Sequence, residues 1–428
     1  MKIIVVGAGV AGLVCGRTLL RAGHHVVVLE ASDGVGGRVR SDVVDGFVLE
    51  RGFQVLFTAY PAVRRQVNLD RLDLRIFDPG AIIARAGRRH VLSDPIRDIG
   101  AFLPSLLTGI VSPLDKARAA LLSADMARKT VDAIMDDGPD TTTEDFLRRR
   151  GFSDRFVAHF ARPFFGGVFL DDSLQTSARA FQFDWKMLTE GRIAVPAGGN
   201  GAIAEQVAGS LRAANAIRLN AHVNALVTNE NGRFVGARLG TGEVIGDANA
   251  VVVATPAPEA ARLTGKPNLP HGQTSTINLY FAGSAPVYAG KKLVLHANQN
   301  PFVNNAVQVT NVAPEQAPPG RHLLSATVLG VPNGTDDELF ARGIADLRRM
   351  FAGDSAALSA LAAYRPLHLY RIPYGQFAQP PGIHDTLPGN DTGEPGLFFA
   401  AEFTAASSFN AAMHSGEKAA ARILQTGV

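Results

Sequence analysis

Three glycines, Gly7, Gly9 and Gly12, stand directly behind the apolar run Ile3 to Val6. Their spacing is that of a backbone loop built around phosphate. In such a GxGxxG turn the first glycine permits the tight bend and the second lets the chain approach a pyrophosphate. The third lets a helix pack closely on a strand. A helix that starts here points its unpaired N–H groups and the positive end of its dipole at the phosphate. Glu30 closes the next apolar run, with Ala31 beside it, and a carboxylate at that place accepts hydrogen bonds from ribose hydroxyls. A second cluster, Gly36-Gly37-Arg38, exceeds what a nicotinamide dinucleotide needs. It fits FAD bound in extended form, because two more glycines admit backbone near the pyrophosphate and Arg38 offers a planar cation against its charge.

The elements that must position these residues can be read from the same stretch. Lys2 to Val6 predicts a buried strand, Ala11 to Arg21 a helix ended at Gly23, and His25 to Leu29 a second strand. Together they form one βαβ unit of a doubly wound sheet. From about residue 94 to 190 the pattern is helical, and Thr142 with Glu144 and Asp145 marks one helix start. Residues 195–254 read as a glycine turn, a helix and short strands, with a hairpin signal at Asn231-Gly232 and a closing strand from Ala250 to Ala254. Residues 271–330 alternate as sheet strands do, and the chain closes with a strand, a loop and a helix. The expected fold class is therefore α/β: a Rossmann-like FAD-binding domain of the glutathione-reductase type, assembled from discontinuous segments 1–75, 195–270 and 381–428. Residues 76–194 and 271–380 are expected to form an α+β substrate domain, a helical insertion plus a sheet.

Composition removes several other classes. A net charge of +3 over 428 residues gives no electrostatic support for nucleic-acid binding. Cys15 is the single cysteine, so no internal disulfide or multi-cysteine metal site can form, which fits a reducing, cytoplasmic setting. The 11 histidines show no metal-ligand spacing, and no metal is expected. Glycines interrupt the apolar N-terminal run, which argues against a signal peptide. Ile99 to Leu114 is an uncharged run broken by two prolines and two glycines. It reads as helical core, a lid or a shallow, peripheral membrane contact, and not as a span. Arg148 to Arg150 read as a solvated helix face.

The stretch "GAGVAGLVCGRTLLRAGHHVVVLEASDGVGGRVRSD" resembles the flavin-containing amine oxidase superfamily, in its phytoene desaturase and protoporphyrinogen-oxidase-like branch. Further matches cover nearly the whole chain. "DGFVLERGFQVLFTAYP" is similar to the family's segment beside the isoalloxazine ring, which implies that Gly52, Phe53, Gln54 and Val55 lie near the flavin. "VPAGGNGAIAEQVA" resembles the return into the FAD domain, and "IRLNAHVNAL" the strand whose Val223 brackets adenine through its backbone. "GLFFAAEFTAASSFNAAMHSGEKAA" resembles the closing motif, with Glu402 at the ribityl hydroxyls and Phe409, Asn410, Ala412 and Met413 against the flavin.

Departures from the amine-oxidase pattern bear on substrate. The strand position that carries a lysine near flavin N5 in those enzymes is Thr276 here, in "TSTINLYF". The aromatic Gly-Tyr element before the last helix is replaced by Ser407-Ser408-Phe409-Asn410. Cys15 lies far from the C-terminal cysteine that binds FAD covalently in some monoamine oxidases, so the resemblance implies non-covalent FAD. Tyr370, Tyr374 and Gln376 precede the closing motif and join Thr276 as substrate-pocket candidates. The reading is an FAD-dependent oxidoreductase that takes a hydride from a substrate carbon onto flavin N5, dehydrogenating a small hydrophobic substrate at C–C. Alternatives are amine oxidation at C–N and a non-redox flavin-dependent isomerase or scaffold. The missing charge at Thr276 favours a quinone or a redox protein over oxygen as electron acceptor. Oligomeric state is left open.

Overall fold

The computed structural model describes residues 1–93, 108–136 and 138–427. At its start β1 (Lys2–Val6), α1 (Val10–Arg21) and β2 (His25–Leu29) form the expected βαβ unit. Four of the five β1 residues are buried, as a strand covered on both faces requires. α1 starts at the extended Gly9 with no side-chain cap and no acidic residue in its first turn. Among the described residues no side chain caps its first N–H groups.

β1 and β2 sit inside a five-stranded parallel sheet. Its order is Ile217–Arg218, β2, β1, Ala250–Val253, Leu397–Phe399. The beginning, middle and end of the chain thus meet in one sheet, and the discontinuous α/β assembly read from the sequence is what folds. Helix Phe409–Thr426 then packs back onto α1.

A second, mixed sheet has seven strands. They run in the order Arg365–Phe377, Gln273–Gly283, His322–Leu329, Asn305–Gln308, Leu293–His296, Ala81–Arg85, Arg88–Leu92. Period-two alternation divides its residues between two faces. Ile277, Leu279 and Phe281 pack with Leu339 and Leu347 of helix Asp336–Met350. Tyr280, on the other face, packs with Phe47 and Leu49 of the hairpin Ser41–Val44/Phe47–Glu50. Helices between residues 113 and 190 cover the far end of that face, where Phe165, Phe181 and Trp185 join Ala81, Ile83 and Leu295.

Several elements go beyond the sequence reading. The strands Ala81–Arg85 and Arg88–Leu92 form a hairpin across Ala86 and Gly87, both at positive φ (49° and 73°). Helix Asp336–Met350, opened by a capping box between Thr335 and Glu338, follows the stretch 271–330 read as strands and was not singled out. Thr142 does cap a helix, Thr143–Arg149, and Arg148 to Arg150 are exposed. Of the run Ile99 to Leu114, residues 99–107 lie outside the described residues, Ile110 and Val111 are buried, and Leu114 is exposed. Among the described residues no helix is long and apolar enough to cross a membrane.

The contact between α1 and helix Phe409–Thr426 depends on Gly416. A Cβ there would stand 2.4 Å from the Ala11 carbonyl oxygen, so the helices cross backbone to backbone. Gly416→Ala should destabilise the protein by about 1–3 kcal/mol through overpacking, read as a lowered urea midpoint at unchanged slope. An unchanged midpoint would mean that the two helices are free to separate.

Candidate cofactor and substrate site

The two glycine clusters line one cleft. Gly36 N–H donates to the Ala8 carbonyl (2.8 Å), and Gly9 and Gly36 form a parallel bridge. A Cβ on Gly12 would lie 2.1 Å from the Gly7 carbonyl oxygen, which fixes the close helix–strand contact. A Cβ on Gly9 would meet nothing within 4 Å. That open volume lies before the uncapped start of α1, where a pyrophosphate is held in a dinucleotide fold. Glu30 lies at the end of β2. Its Oε2 accepts from Ala8 N–H (2.8 Å) and its Oε1 from Ser32 N–H and Oγ–H (2.9 and 2.7 Å). A carboxylate offers about four acceptor sites, so one is left for a ribose hydroxyl. Ala31 beside it is exposed.

Arg38 ties this cleft to distant parts of the chain. Its guanidinium pairs with Glu402, donates to the Gly375 carbonyl (2.7 Å) and lies 5.4 Å from the centroid of the Tyr374 ring. Glu402 is buried, and its Oε1 has no partner; neither has the buried Tyr374 hydroxyl. Burial, reinforced by the Glu402 charge, pushes the Tyr374 phenol up to about 12. Asn200 Oδ1 and Thr255 Oγ1, in adjoining segments, are orphaned too. Native proteins leave few such atoms unsatisfied. Orphaned polar atoms beside the open space at Gly9 fit a large, polar, phosphate-bearing cofactor.

Gln54 and Gly52 hold the segment beside this cleft. Gln54 Nε2 donates to the Arg38 carbonyl (2.6 Å), and its own carbonyl accepts from Asn200 Nδ2 (3.0 Å). Gly52, at φ 89°, approaches Ile372 so closely that a Cβ would lie 2.6 Å from its Cδ1. Phe53 packs edge-on to Phe77, and Val55 lies against the core of the parallel sheet.

Sequence reasoning missed the anchor of this segment, Glu50. Its carboxylate accepts from Asn200 N–H (2.8 Å) and Ser41 Oγ–H (2.9 Å), and Ser41 Oγ accepts from Gly201 N–H (2.9 Å). Glu50 therefore holds the N-terminus of helix Gly201–Ala213, and Tyr280 bonds its backbone from the large sheet. The signal was a lone acidic residue in an otherwise apolar strand, two residues before Gly52.

Other candidates have different surroundings. Thr276 is buried and its hydroxyl donates to the Val328 carbonyl (2.7 Å). Tyr370 donates to Asp42 (2.8 Å), and Gln376 Nε2 to the Val168 carbonyl (2.7 Å). With Tyr374 these are alternate residues of one strand, and Ile372, between them in that series, was not singled out. Asn410 Oδ1 accepts from Ala62 N–H (2.9 Å), capping helix Pro61–Gln66. Phe409 begins the last helix, and Ala412 and Met413 are buried beside α1. The Val223 carbonyl accepts from Arg262 (3.1 Å). Cys15 is fully buried in α1, and burial pushes its thiol up to about 12, so it is no nucleophile. Among the described residues no cluster could hold a metal ion.

Residues 10–424 match a family model described as flavin containing amine oxidoreductase. The chain belongs to that family, and FAD is its cofactor. Over 122 residues it is 36% identical to putrescine oxidase of Kocuria rosea, covering 26% of each chain. Over 177 residues it is 29% identical to coproporphyrinogen III oxidase of Propionibacterium freudenreichii subsp. freudenreichii, covering 39% of this chain and 31% of that one. These alignments span about a quarter to a third of the relatives' length. The crystal structure of an oxidoreductase from Methanosarcina mazei superposes with a TM-score of 0.70 at 20% identity, over 99% of this chain and all of that one.

Arg38→Ala and Glu30→Ala should each lower flavin retention. Losing a charge-assisted hydrogen bond costs about 1.5–3 kcal/mol, or about 10- to 150-fold in affinity. The ratio of flavin to protein absorbance after gel filtration reads this directly, and wild-type occupancy in both variants would displace the cofactor from this cleft.

Burial raises the Glu50 carboxyl from its ordinary 4.5 to about 7. A raised carboxyl contributes stability that is complete below the unfolded value and is lost as pH climbs through the folded one. By linkage the loss is on the order of 3 kcal/mol between pH 4.5 and 7. Asp184, raised to about 7 by burial, moves the same way but is unchanged in a Glu50 variant. Glu50→Gln should therefore gain on wild type in melting temperature as pH rises from 5 to 8. A difference that stays constant with pH would show that Glu50 does not titrate in this window.

Proposed function

We propose that this family member dehydrogenates a largely hydrophobic substrate at a carbon–carbon bond, as the desaturase and porphyrinogen-oxidase branches do. The observation that carries the reading is Thr276. A neutral side chain occupies the place of the amine oxidases' lysine, and its hydroxyl is already engaged by Val328. Ser407 to Asn410 supply one aromatic ring, Phe409, and no facing pair that could cage an amine.

Bound FAD supplies a two-electron acceptor for hydride leaving a substrate carbon. The chain provides the surroundings. Arg38 and the uncapped start of α1 offset pyrophosphate charge, and Glu30 and Glu402 accept from hydroxyls. Helix Phe409–Thr426 is capped by Ser408, and its positive end would stabilise negative charge on a flavin bound before it. Phe53, Tyr374 and Ile372 bring apolar surface that limits water. FAD is held without a covalent link, since the single cysteine is buried in α1. The second reading is amine oxidation at C–N, supported by the likeness to putrescine oxidase.

With no ammonium at position 276, reduced enzyme should react slowly with oxygen and pass electrons faster to a quinone or a second redox protein. Stopped-flow mixing of dithionite-reduced protein with air-saturated buffer, and separately with a soluble quinone, measures both rates. Reoxidation by oxygen faster than by quinone would return amine oxidation to first place.

A further inference from the structure

A cavity of about 150 Å³ opens between the turn that follows helix Arg162–Phe169 and the end of strand Arg365–Phe377. Phe169, Asp171 and Thr176 form one wall, and Thr274, Gln376 and Gln379 the other. The cavity shares two partitions with the cofactor cleft. Gly375, next to Gln376, gives its carbonyl to Arg38 (2.7 Å). Gln379 Oε1 accepts from Ser407 N–H (2.8 Å), in the loop that leads into helix Phe409–Thr426.

Both glutamines are oriented by backbone groups, which fixes what each still offers. Gln376 donates its Nε2 to the Val168 carbonyl, so its Oε1 remains as an acceptor. Gln379 accepts at Oε1, from Ser407 N–H and with His384 Nε2 at 3.3 Å, so its Nε2 remains as a donor. Thr274 Oγ1 is buried with no partner. Asp171 adds a carboxylate whose Oδ1 accepts from Ser173 N–H (3.0 Å) and Ser173 Oγ–H and whose Oδ2 accepts from Thr176 Oγ–H (3.5 Å), leaving capacity mainly at Oδ2. None of the described residues lining the cavity carries a positive charge, and the neighbouring Arg38 is paired with Glu402. A buried polar atom left unpaired costs about 1–3 kcal/mol; Thr274 Oγ1 is such an atom, and with the free amide groups of Gln376 and Gln379 beside it the site is shaped for a polar guest. The volume matches about five water molecules, or a group of four to six heavy atoms.

We propose that this cavity is a substrate-recognition chamber for one N–H-bearing end of the substrate, neutral or cationic, and that it rejects a carboxylate. Gln376 and Asp171 accept from the N–H donors, Gln379 donates to any carbonyl beside them, and Thr274 adapts to either. The inference rests on the reading of a substrate oxidised beside FAD. It refines that reading: the body of the substrate is apolar, and this end is not.

The test uses flavin-loaded full-length protein and three probes of similar size, butyramide, butylammonium and butyrate, titrated calorimetrically at pH 7. Butyramide and butylammonium should each bind at least about tenfold tighter than butyrate. Thr274→Val and Gln376→Met should each weaken butyramide about five- to tenfold, at unchanged flavin content. Butyrate binding as tightly as butyramide, absence of binding by all three, or variants identical to wild type would overturn the proposal. Flavin absorbance in the same samples separates the two readings. A preparation without flavin counts against the cofactor cleft, whereas a flavin-loaded protein that prefers butyrate counts only against the chamber.

Discussion

The contact between Arg38 and Glu402 joins residues 364 positions apart, and the site is organised around it. Arg38 ends the second glycine cluster, Gly375 lies near the end of strand Arg365–Phe377, and Glu402 lies within the closing motif. All three meet at one guanidinium. A buried ion pair is weak evidence for stability, because desolvation offsets most of the attraction unless every remaining polar atom is satisfied. Here Glu402 Oε1 and the Tyr374 hydroxyl are not. The arrangement is therefore explained better by a third party than by the pair itself. In the proposed site, cofactor hydroxyls would complete what the protein leaves open, and the flavin would then join the chain's three distant segments.

The glycine loops illustrate why so much of that site could be read from one sequence. Their function depends on backbone geometry within a dozen residues: Gly12 must be small because Gly7 lies 2.1 Å from where its Cβ would be. A constraint of that kind leaves a local spacing. Glu30 is legible for the same reason, since strand length alone places it at the edge of β2. Glu50 was not, because its meaning lies in partners at Ser41, Asn200 and Tyr280. Its one local signal, an acid closing an otherwise apolar strand two residues before Gly52, does not say which partners it anchors. The strands Ala81–Arg85 and Arg88–Leu92 were hidden differently. Arginines at 85, 88 and 89 mask the apolar period, and partial burial on the sheet's last strand tolerates them.

The residues proposed to face substrate are less legible again. Tyr370, Ile372, Tyr374 and Gln376 alternate along one strand, yet their side chains reach Asp42, Gly52, Arg38 and Val168. Each is defined by what a remote segment presents to it. Thr276 pairs in register with Ile372 and Leu329, and the engagement of its hydroxyl by Val328 depends on that register alone.

This division has a consequence for how one fold hosts several chemistries. The proposed cofactor grip consists of backbone loops and carboxylates at strand ends, which tolerate few replacements. The substrate side is a sheet face, where a residue can change without disturbing its neighbours so long as period-two alternation is kept. Charge at position 276 and polarity at 274 and 376 can therefore vary with little effect on the glycine loops, whereas Gln379 is tied to the loop before the last helix through Ser407 N–H. A neutral strand residue beside a chamber lined by amides, a hydroxyl and one carboxylate is a combination of that kind. It leaves hydride acceptance to the shared cofactor, and leaves the choice of substrate to a few side chains that the cofactor grip does not constrain.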